Sequence, residues 1–145
     1  MKILVQKVIQ ASVVVNNELI SSIDKGLLLF VGIEKNDTKG QADYLAKKIS
    51  NLRIFTDEND KMNLSIRDVK GEILTVSQFT LAADLSKGNR PGFDTAAHPN
   101  DANHLYEYFV EQLKYYNIVV KTGIFQADMK VSLINDGPCT FILQK

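Results

Sequence analysis

The chain has 145 residues, 45% of them apolar, so a single domain with its own core is expected over residues 1–145. Its 17 basic and 17 acidic residues give a formal net charge of zero, which excludes a protein that holds nucleic acid mainly by bulk charge. Any contact with a polyanion must come from a local basic patch.

Three sequence features bear on the compartment. A single cysteine, Cys139, cannot form an internal disulfide, and with no activating neighbour it is interpreted as a small buried residue. The opening residues 1–10 (MKILVQKVIQ) are typical of a strand and not of a signal peptide. The longest apolar run, residues 27–33, is too short to cross a bilayer. We therefore expect a cytoplasmic protein with no membrane partner.

The first part of the chain predicts three strands. Residues 3–15 are rich in Val and Ile, which favour strands. Asn16 and Asn17 supply a turn, because asparagine tolerates positive φ, and residues 18–23 form the return strand of a hairpin. Residues 27–33 are nearly all apolar, as expected for a central strand covered on both faces.

Two helices follow from apolar residues that recur at helical spacing. Thr38 is a suitable N-cap for the first, since its hydroxyl can accept a hydrogen bond from a first-turn amide. The second is predicted over residues 100–116. The apolar stripes are Ala42, Leu45, Ala46, Ile49 and Leu52 in the first helix, and Leu105, Phe109, Val110 and Leu113 in the second.

Shorter strands complete the predicted elements. They are expected at residues 53–56, 72–81, 118–125, 129–134 and 140–143. The intervening residues 83–100 form a loop that is long for a compact domain, and such loops are often functional.

About seven or eight strands and two helices predict an α/β fold of three layers, α/β/β, with mixed, mostly antiparallel sheets in barrel-like packing. Two helices cannot cover both faces of so many strands. One apolar sheet face therefore stays uncovered, which predicts a partner subunit.

Common metal and catalytic patterns do not occur. His98 and His104 flank the start of the second helix outside any metal-ligand spacing, so exposed or capping roles are expected, and no metal or cofactor is predicted. Residues 57–60 lack the spacing of a calcium loop and are expected to form a hairpin tip. Three basic residues form either a local patch or a scattered solvated surface: Lys87, Arg90 and Lys130.

Two segments carry groups suited to a binding site. Residues 77–80 (SQFT) close an apolar strand with hydroxyls and an amide, which can line a pocket floor or simply lead a strand edge into a turn. Residues 135–138 (NDGP) place a Gly-Pro pair between two strands, ordinarily a turn, and the bond before Pro138 is open to cis geometry. Neither segment reveals a reaction by itself.

With these segments in place, the whole chain closely resembles the D-aminoacyl-tRNA deacylases, also called D-tyrosyl-tRNA deacylases. The shared order of many short blocks is more specific than any single motif. Besides the opening 6–15 hairpin, the blocks are GLL at 26–28, GIEK at 32–35, NLRIF at 51–55, KMNLS at 61–65, SQFTL at 77–81, KG at 87–88, RP at 90–91, TG at 122–123, ADM at 127–129, VSL at 131–133 and NDGP at 135–138.

The resemblance implies a homodimer that hydrolyses the ester between a D-amino acid and the 3′ end of tRNA. Ser77, Gln78, Phe79 and Thr80 match the catalytic pocket of the family. Backbone amides there, with Gln78, would stabilise the developing oxyanion. The same chemistry would admit glycine, including glycyl-tRNA mischarged on tRNA(Ala).

The resemblance also implies how handedness is sensed. Gly137 and Pro138 match a Gly-cisPro element that enters the partner subunit's pocket, and Met129 and Asn135 belong to the same substrate-binding set. Carbonyls of the element would accept hydrogen bonds from the α-ammonium group. An L side chain would then collide with main-chain atoms, so selectivity would come from exclusion.

Alternatives remain at this point. In one hypothesis Thr80 is the nucleophile, although no general base beside it is visible in the sequence. In the other, Thr80 takes no part in the chemistry, and the nucleophile is water assisted by the terminal ribose hydroxyl of tRNA. A non-catalytic RNA- or protein-binding dimer on the same scaffold is a further hypothesis. Three residues depart from the family pattern in the loop beside the pocket: Ala82, Asn89 and Gly92.

Overall fold

The computed structural model describes residues 1–86 and 88–145. Within these residues the chain forms strands, two α-helices and a short 3₁₀ helix. In order they are β1 (Lys2–Val15), β2 (Glu18–Ile23), β3 (Gly26–Gly32), α1 (Lys39–Ser50), β4 (Phe55–Thr56), β5 (Met62–Leu64), β6 (Glu72–Ser77), the 3₁₀ helix (Phe79–Ala82), α2 (Pro99–Tyr115), β7 (Val119–Thr122) and β8 (Lys130–Gln144). The predicted α/β class with two helices is confirmed.

Six strands form one mixed sheet. Its path is β2-β1-β3-β6-β7, and β8 pairs with β1 as well. The β3–β6 and β6–β7 pairs are parallel, whereas β1 pairs antiparallel with β2, β3 and β8. Strands β4 and β5 form a separate antiparallel hairpin. The mixed, mostly antiparallel pairing matches the prediction.

The sheet encloses two apolar cores because β1 changes the face that it buries. Ile3 and Val5 belong to the core under the helices, whereas Val8 and Val13 belong to a second core inside the curled sheet. The register against β8 shifts on both sides of Val8, and such bulges bend a strand and re-aim its side chains. The two predicted β layers are therefore parts of one sheet, nearly closed into a barrel.

The helices bury most of their predicted stripes, but α1 ends at Ser50, before Leu52, and Leu105 in α2 is half-buried. Thr38 is the N-cap of α1, and its backbone amide donates to Gln41 Oε1 at 2.8 Å, as in a capping box. The second helix starts one residue earlier than predicted, at Pro99, a residue suited to a first helical position. In the described part of the chain, neither helix has the length and apolar character needed to cross a membrane.

The strand predicted at residues 72–81 is too long. Strand β6 ends at Ser77 and the chain turns into the 3₁₀ helix. Gly32, at the end of the neighbouring β3, explains the turn: a Cβ there would lie 2.8 Å from the Leu81 Cβ, so only glycine lets the 3₁₀ helix pack across the strand end. The predictions at 53–56 and 118–125 were also too long, and the short β5 was not foreseen.

The strands predicted at 129–134 and 140–143 are one continuous strand, β8. Gln6 faces Thr140 and Val8 faces Asn135, so four residues of β8 lie opposite the single residue Lys7. Residues 136–139 therefore form a large bulge, which replaces the expected turn. We call these four residues the Gly-Pro bulge.

Candidate active site

A cavity of about 550 Å³ opens at the carboxyl end of β6. Its floor is apolar and comes from the ends of two parallel strands, the start of α2 and the segment after β7. Polar groups edge it at Ser77, Gln78, Gln126 and Asp128. An apolar hollow with a few convergent polar groups is the usual form of a small-ligand site.

Gln78 is the polar residue at the junction of strand and 3₁₀ helix. Its backbone amide donates to the Val31 carbonyl at 2.8 Å, which fixes the junction to β3. Its side-chain Nε2 donates to Thr80 Oγ1. Ser77, Gln78 and Phe79 line the cavity, and Thr80 is exposed beside it, joined to it through Gln78.

Two aromatic rings stand at the edge of the cavity. Phe79 is 57% exposed, and its ring lies 5.0 Å from that of Phe93 in a tilted pair. The loop that carries Phe93 is tied back by paired backbone bonds between Asp84 and Gly92, at 2.8 and 3.0 Å. Exposed rings held in a fixed position offer a flat apolar surface to a ligand.

A buried hydrogen-bond pair supports the opposite wall. Thr75 Oγ1 lies 2.8 Å from the Tyr106 hydroxyl, which also donates to the Thr75 carbonyl at 3.0 Å. Burial raises the pKa of Tyr106 to about 12, so this phenol stays a neutral donor. The Tyr106 ring packs against Phe125, a cavity residue. This hydrogen-bonded pair was not predicted from the sequence. A threonine within an otherwise apolar strand was the feature that could have indicated it.

Met129 reaches the cavity because Gly123 leaves it space. A Cβ on Gly123 would lie 2.4 Å from the Met129 Sδ, so a larger residue would push the thioether away. The Gly123 amide donates to the Thr75 carbonyl at 3.0 Å, which holds the backbone in place. The predicted site residue Met129 thus lies with Ser77, Gln78 and Phe79.

The Gly-Pro bulge is built by three side-chain contacts. Asn135 Nδ2 donates to the Lys7 carbonyl at 2.9 Å and to the Cys139 carbonyl at 3.1 Å, bridging the two strands. Lys7 Nζ pairs with Asp136 Oδ2 at 3.1 Å. The peptide bond between Gly137 and Pro138 is cis, and both residues are exposed.

Lys7 was not singled out from the sequence. It stands at an inward position of β1, two residues after Val5, and its side chain is only 7% exposed. The sequence does hold a signal for it, a lysine at a position of β1 where the alternating pattern calls for an apolar residue. A buried ammonium group needs a charged or polar partner, so such a lysine indicates one nearby. That partner, Asp136, lies in the bulge.

Within one protomer the bulge and the cavity lie at different ends of the sheet. Lys7, opposite the bulge, pairs with Leu27, and Leu27 pairs with Ile73 near the start of β6. Ser77 at the other end of β6 lines the cavity. Four residues lie between Ile73 and the cavity rim at Gln78, a strand length of roughly 15 Å. The structure therefore does not bring Gly137, Pro138 or Asn135 to the cavity of their own chain.

Other sequence candidates occupy simpler positions. His98 is the N-cap of α2, and both it and His104 are exposed, as expected. Cys139 is fully buried, in agreement with its interpretation. Residues 57–60 form the tip of the β4–β5 hairpin, where backbone hydrogen bonds from Lys61 and Asn59 lower the pKa of Asp57. Among the described residues no His, Cys, Asp or Glu group is arranged to hold a metal.

The suggested basic patch of Lys87, Arg90 and Lys130 stays a prediction. Lys130 Nζ binds both carboxylate oxygens of Asp128, at 2.9 and 3.1 Å, and Arg90 is exposed. Lys87 lies outside the described residues.

Fold and cavity together define a helix-backed α/β barrel with an enzyme-like cleft at a strand end. The sequence profile of the family described as D-Tyr-tRNA(Tyr) deacylase matches residues 4–144, and the chain belongs to this family. The resemblance drawn from the sequence is thereby confirmed.

Individual relatives agree with the family match. The chain is 59% identical to the D-aminoacyl-tRNA deacylase of Geotalea daltonii over 144 residues, 99% of this chain and 96% of that one. It is similar to the solved structure of c-Myc DNA Unwinding Element Binding Protein, with TM-score 0.95, 43% identity and coverage of 100% and 99%. A probable eukaryotic D-amino acid tRNA deacylase shares the fold, with TM-score 0.81, 16% identity and coverage of 98% and 97%.

Proposed function

We propose that this protein is a D-aminoacyl-tRNA deacylase, which hydrolyses the ester between a D-amino acid and the terminal ribose of tRNA. The observation that carries the proposal is the cavity edged by Ser77 and Gln78, in a chain that belongs to the deacylase family over residues 4–144. The substrate is the aminoacylated 3′ end, and the protein acts where translation takes place, in the cytoplasm.

The active unit is a homodimer. An apolar row crosses the six-stranded sheet from Val76 in the cavity wall, through Phe30 and Leu4, to Ile142, as the strand registers show. Ile142 is 72% exposed, and Phe30 and Leu4 are half-buried. Val76 is buried, and the part of the row that becomes exposed towards Ile142 is suited to a self-complementary two-fold interface, in which each contact occurs twice.

Across that interface, the Gly-Pro bulge of each protomer enters the cavity of its partner. This arrangement unites Gly137, Pro138 and Asn135 with Ser77, Gln78 and Met129, which are apart in one chain. The exposed bulge carbonyls accept hydrogen bonds from the α-ammonium of the substrate. The ester and the ammonium are then both fixed, and an L side chain meets the bulge backbone. Glycine has no side chain to exclude, so glycyl-tRNA mischarged on tRNA(Ala) is a substrate too.

The chemistry needs positioning more than acid–base catalysis. Among the described residues lining the cavity, Asp128 is the one ionisable group, and Lys130 engages it. The ester carbonyl oxygen lies at the start of the 3₁₀ helix, where backbone amides and Gln78 stabilise the oxyanion. Water, oriented by the free ribose hydroxyl, adds to the carbonyl carbon. The bond from that carbon to the ribose oxygen then breaks. The ribose oxygen takes one of the two protons of the water, the other is released to the solvent, and the amino acid leaves as a carboxylate.

Paired enantiomers test the function directly. Incubation with D-tyrosyl-tRNA and L-tyrosyl-tRNA is expected to release tyrosine from the D ester alone, with release followed as loss of labelled aminoacyl-tRNA. Light scattering on the same sample is expected to give twice the protomer mass. Binding of tRNA without turnover of either ester would indicate a non-catalytic binding protein, and equal turnover of both would contradict the proposed filter.

Thr80 and Gln78 are expected to respond differently to alanine. Thr80→Ala should keep most of the turnover, because Thr80 is exposed and no basic group among the described residues hydrogen-bonds to it. Gln78→Ala should lose about a hundredfold in kcat, because an oxyanion donor is removed. Single-turnover hydrolysis of D-tyrosyl-tRNA measures both. A tRNA lacking the free ribose hydroxyl should react poorly with the wild type. Complete loss in Thr80→Ala would support a threonine nucleophile instead.

A further inference from the structure

We call the cavity at the carboxyl end of β6 the ester cavity. A second cavity, of about 670 Å³, lies at the other end of the sheet, beside Gly71 and Val119 at the starts of β6 and β7. Three basic residues line it: Arg53, Arg67 and Lys70. We call these three the basic cluster. In a chain with a formal net charge of zero, such a concentration is a local feature of the surface.

The cluster keeps a net positive charge. Asp68 is the carboxylate among the described lining residues. It accepts hydrogen bonds from the Ser65 hydroxyl at 2.7 Å and the Ser65 amide at 2.8 Å, which lower its pKa together with the charges of Arg67 and Arg53. Three cations against one occupied carboxylate leave two positive charges facing the solvent.

The basic cluster lies at the same end of the protomer as the Gly-Pro bulge. Cys139, the last residue of the bulge, places its Sγ 3.9 Å from the carbonyl of Ile54, the residue after Arg53. The strand registers give the same placement. Lys7, opposite the bulge, is aligned across the sheet with Ile73, and Ile73 lies two residues after Gly71, which lines the second cavity. The bulge and the cluster are therefore neighbours in one protomer, so a partner that contacts the bulge also lies close to the cluster.

We propose that the basic cluster of each protomer lies beside the partner's ester cavity and binds phosphodiester groups of the tRNA near its acceptor end. The inference rests on the proposed two-fold dimer, in which the bulge enters the partner's cavity and carries the cluster with it. Arginine and lysine side chains around a hollow are suited to phosphate oxygens, and arginine can bind them in a bidentate manner. The cluster thus supplies the local patch that a neutral chain needs for a polyanion.

Arg67→Gln combined with Lys70→Gln tests the proposal. Both side chains are exposed, and Arg53 stays because its Nε donates to the Asn63 carbonyl at 2.9 Å. KM for D-tyrosyl-tRNA is expected to rise roughly tenfold with little change in kcat, and the slope of log(kcat/KM) against log salt to fall by about two. D-tyrosyl-adenosine, which has no phosphate, should show no comparable change.

The matched control removes two positive charges elsewhere. Lys39→Gln with Lys114→Gln changes the helix layer, outside both the ester cavity and the basic cluster, and is expected to keep the KM and salt slope of the wild type. Equal effects of the two double variants would assign the result to net charge and overturn the proposal. Inorganic phosphate at constant ionic strength separates the sources of the phosphate group. Because the cluster binds phosphate oxygens, weak competition by inorganic phosphate is expected, and it should disappear in the Arg67→Gln, Lys70→Gln variant. Binding of inorganic phosphate as tight as that of tRNA would indicate a site for free phosphate and contradict the assignment to a nucleic-acid backbone.

A mixed dimer shows which protomer supplies the cluster. One protomer carries Gln78→Ala with an intact cluster, and the other has an intact cavity without Arg67 and Lys70. If the cluster acts across the interface, the intact cavity uses its partner's cluster and keeps the wild-type KM for tRNA. A raised KM in this dimer would overturn the proposal. Failure of the deacylase assignment itself would appear separately, as no hydrolysis of D-tyrosyl-adenosine by the wild type.

Discussion

Replacing Gly137 with alanine is expected to lower D-ester hydrolysis by about a hundredfold while leaving the protomer as stable as the wild type. Within one chain, a Cβ on Gly137 would come no closer than 3.5 Å to the Asn135 Oδ1, an ordinary contact. The folded protomer therefore has room for the methyl group. In the proposed dimer, the partner's ester cavity with substrate in it is expected to have no such room.

Gly40→Ala is the matched control for this experiment. It adds the same methyl group, whose closest neighbour would be Thr38 Oγ1, also at 3.5 Å. Gly40 lies in the first turn of α1, where alanine favours the helix, so stability should be unchanged or slightly higher. Urea unfolding and single-turnover hydrolysis of D-tyrosyl-tRNA measure both variants. Full activity in Gly137→Ala would remove the bulge from the proposed active site.

Gly26→Ala, in contrast to Gly137→Ala, is expected to destabilise the protomer. The free energy of unfolding should fall by about 3 kcal/mol or more. A Cβ there would lie 1.9 Å from the Glu72 carbonyl oxygen and 2.8 Å from its carbonyl carbon. These are backbone atoms of the parallel β3–β6 pair, so no side-chain rotation relieves the clash. The two strands would have to separate at the start of their parallel pairing.

Urea denaturation of Gly26→Ala beside Gly137→Ala and Gly40→Ala measures this contrast. All three proteins gain one methyl group, so the difference isolates the backbone clash. Low soluble yield of Gly26→Ala alone, with normal yield of the other two, agrees with the prediction. A loss below about 1 kcal/mol at Gly26 would show that β3 and β6 can relax apart.

Local pattern was sufficient for the helices and the central strand. The stripe of α1 and the apolar run of β3 bury the residues that their periodicity indicated. Elements were misplaced where a distant residue decides the conformation. Strand β6 stops at Ser77 because Gly32 lets Leu81 pack over the end of β3, a contact across about 50 positions that no local propensity reports.

The sequence by itself determined the class of fold, the two helices, the buried Cys139 and, by its resemblance, the family. Tertiary structure alone decided that Gly137 and Pro138 stand in a bulge of one long strand, because that depends on the register of β8 against Lys7. It also decided that this bulge and the ester cavity lie at different ends of a protomer. Strand register sets these distances, and register is a property of paired strands and not of either strand alone.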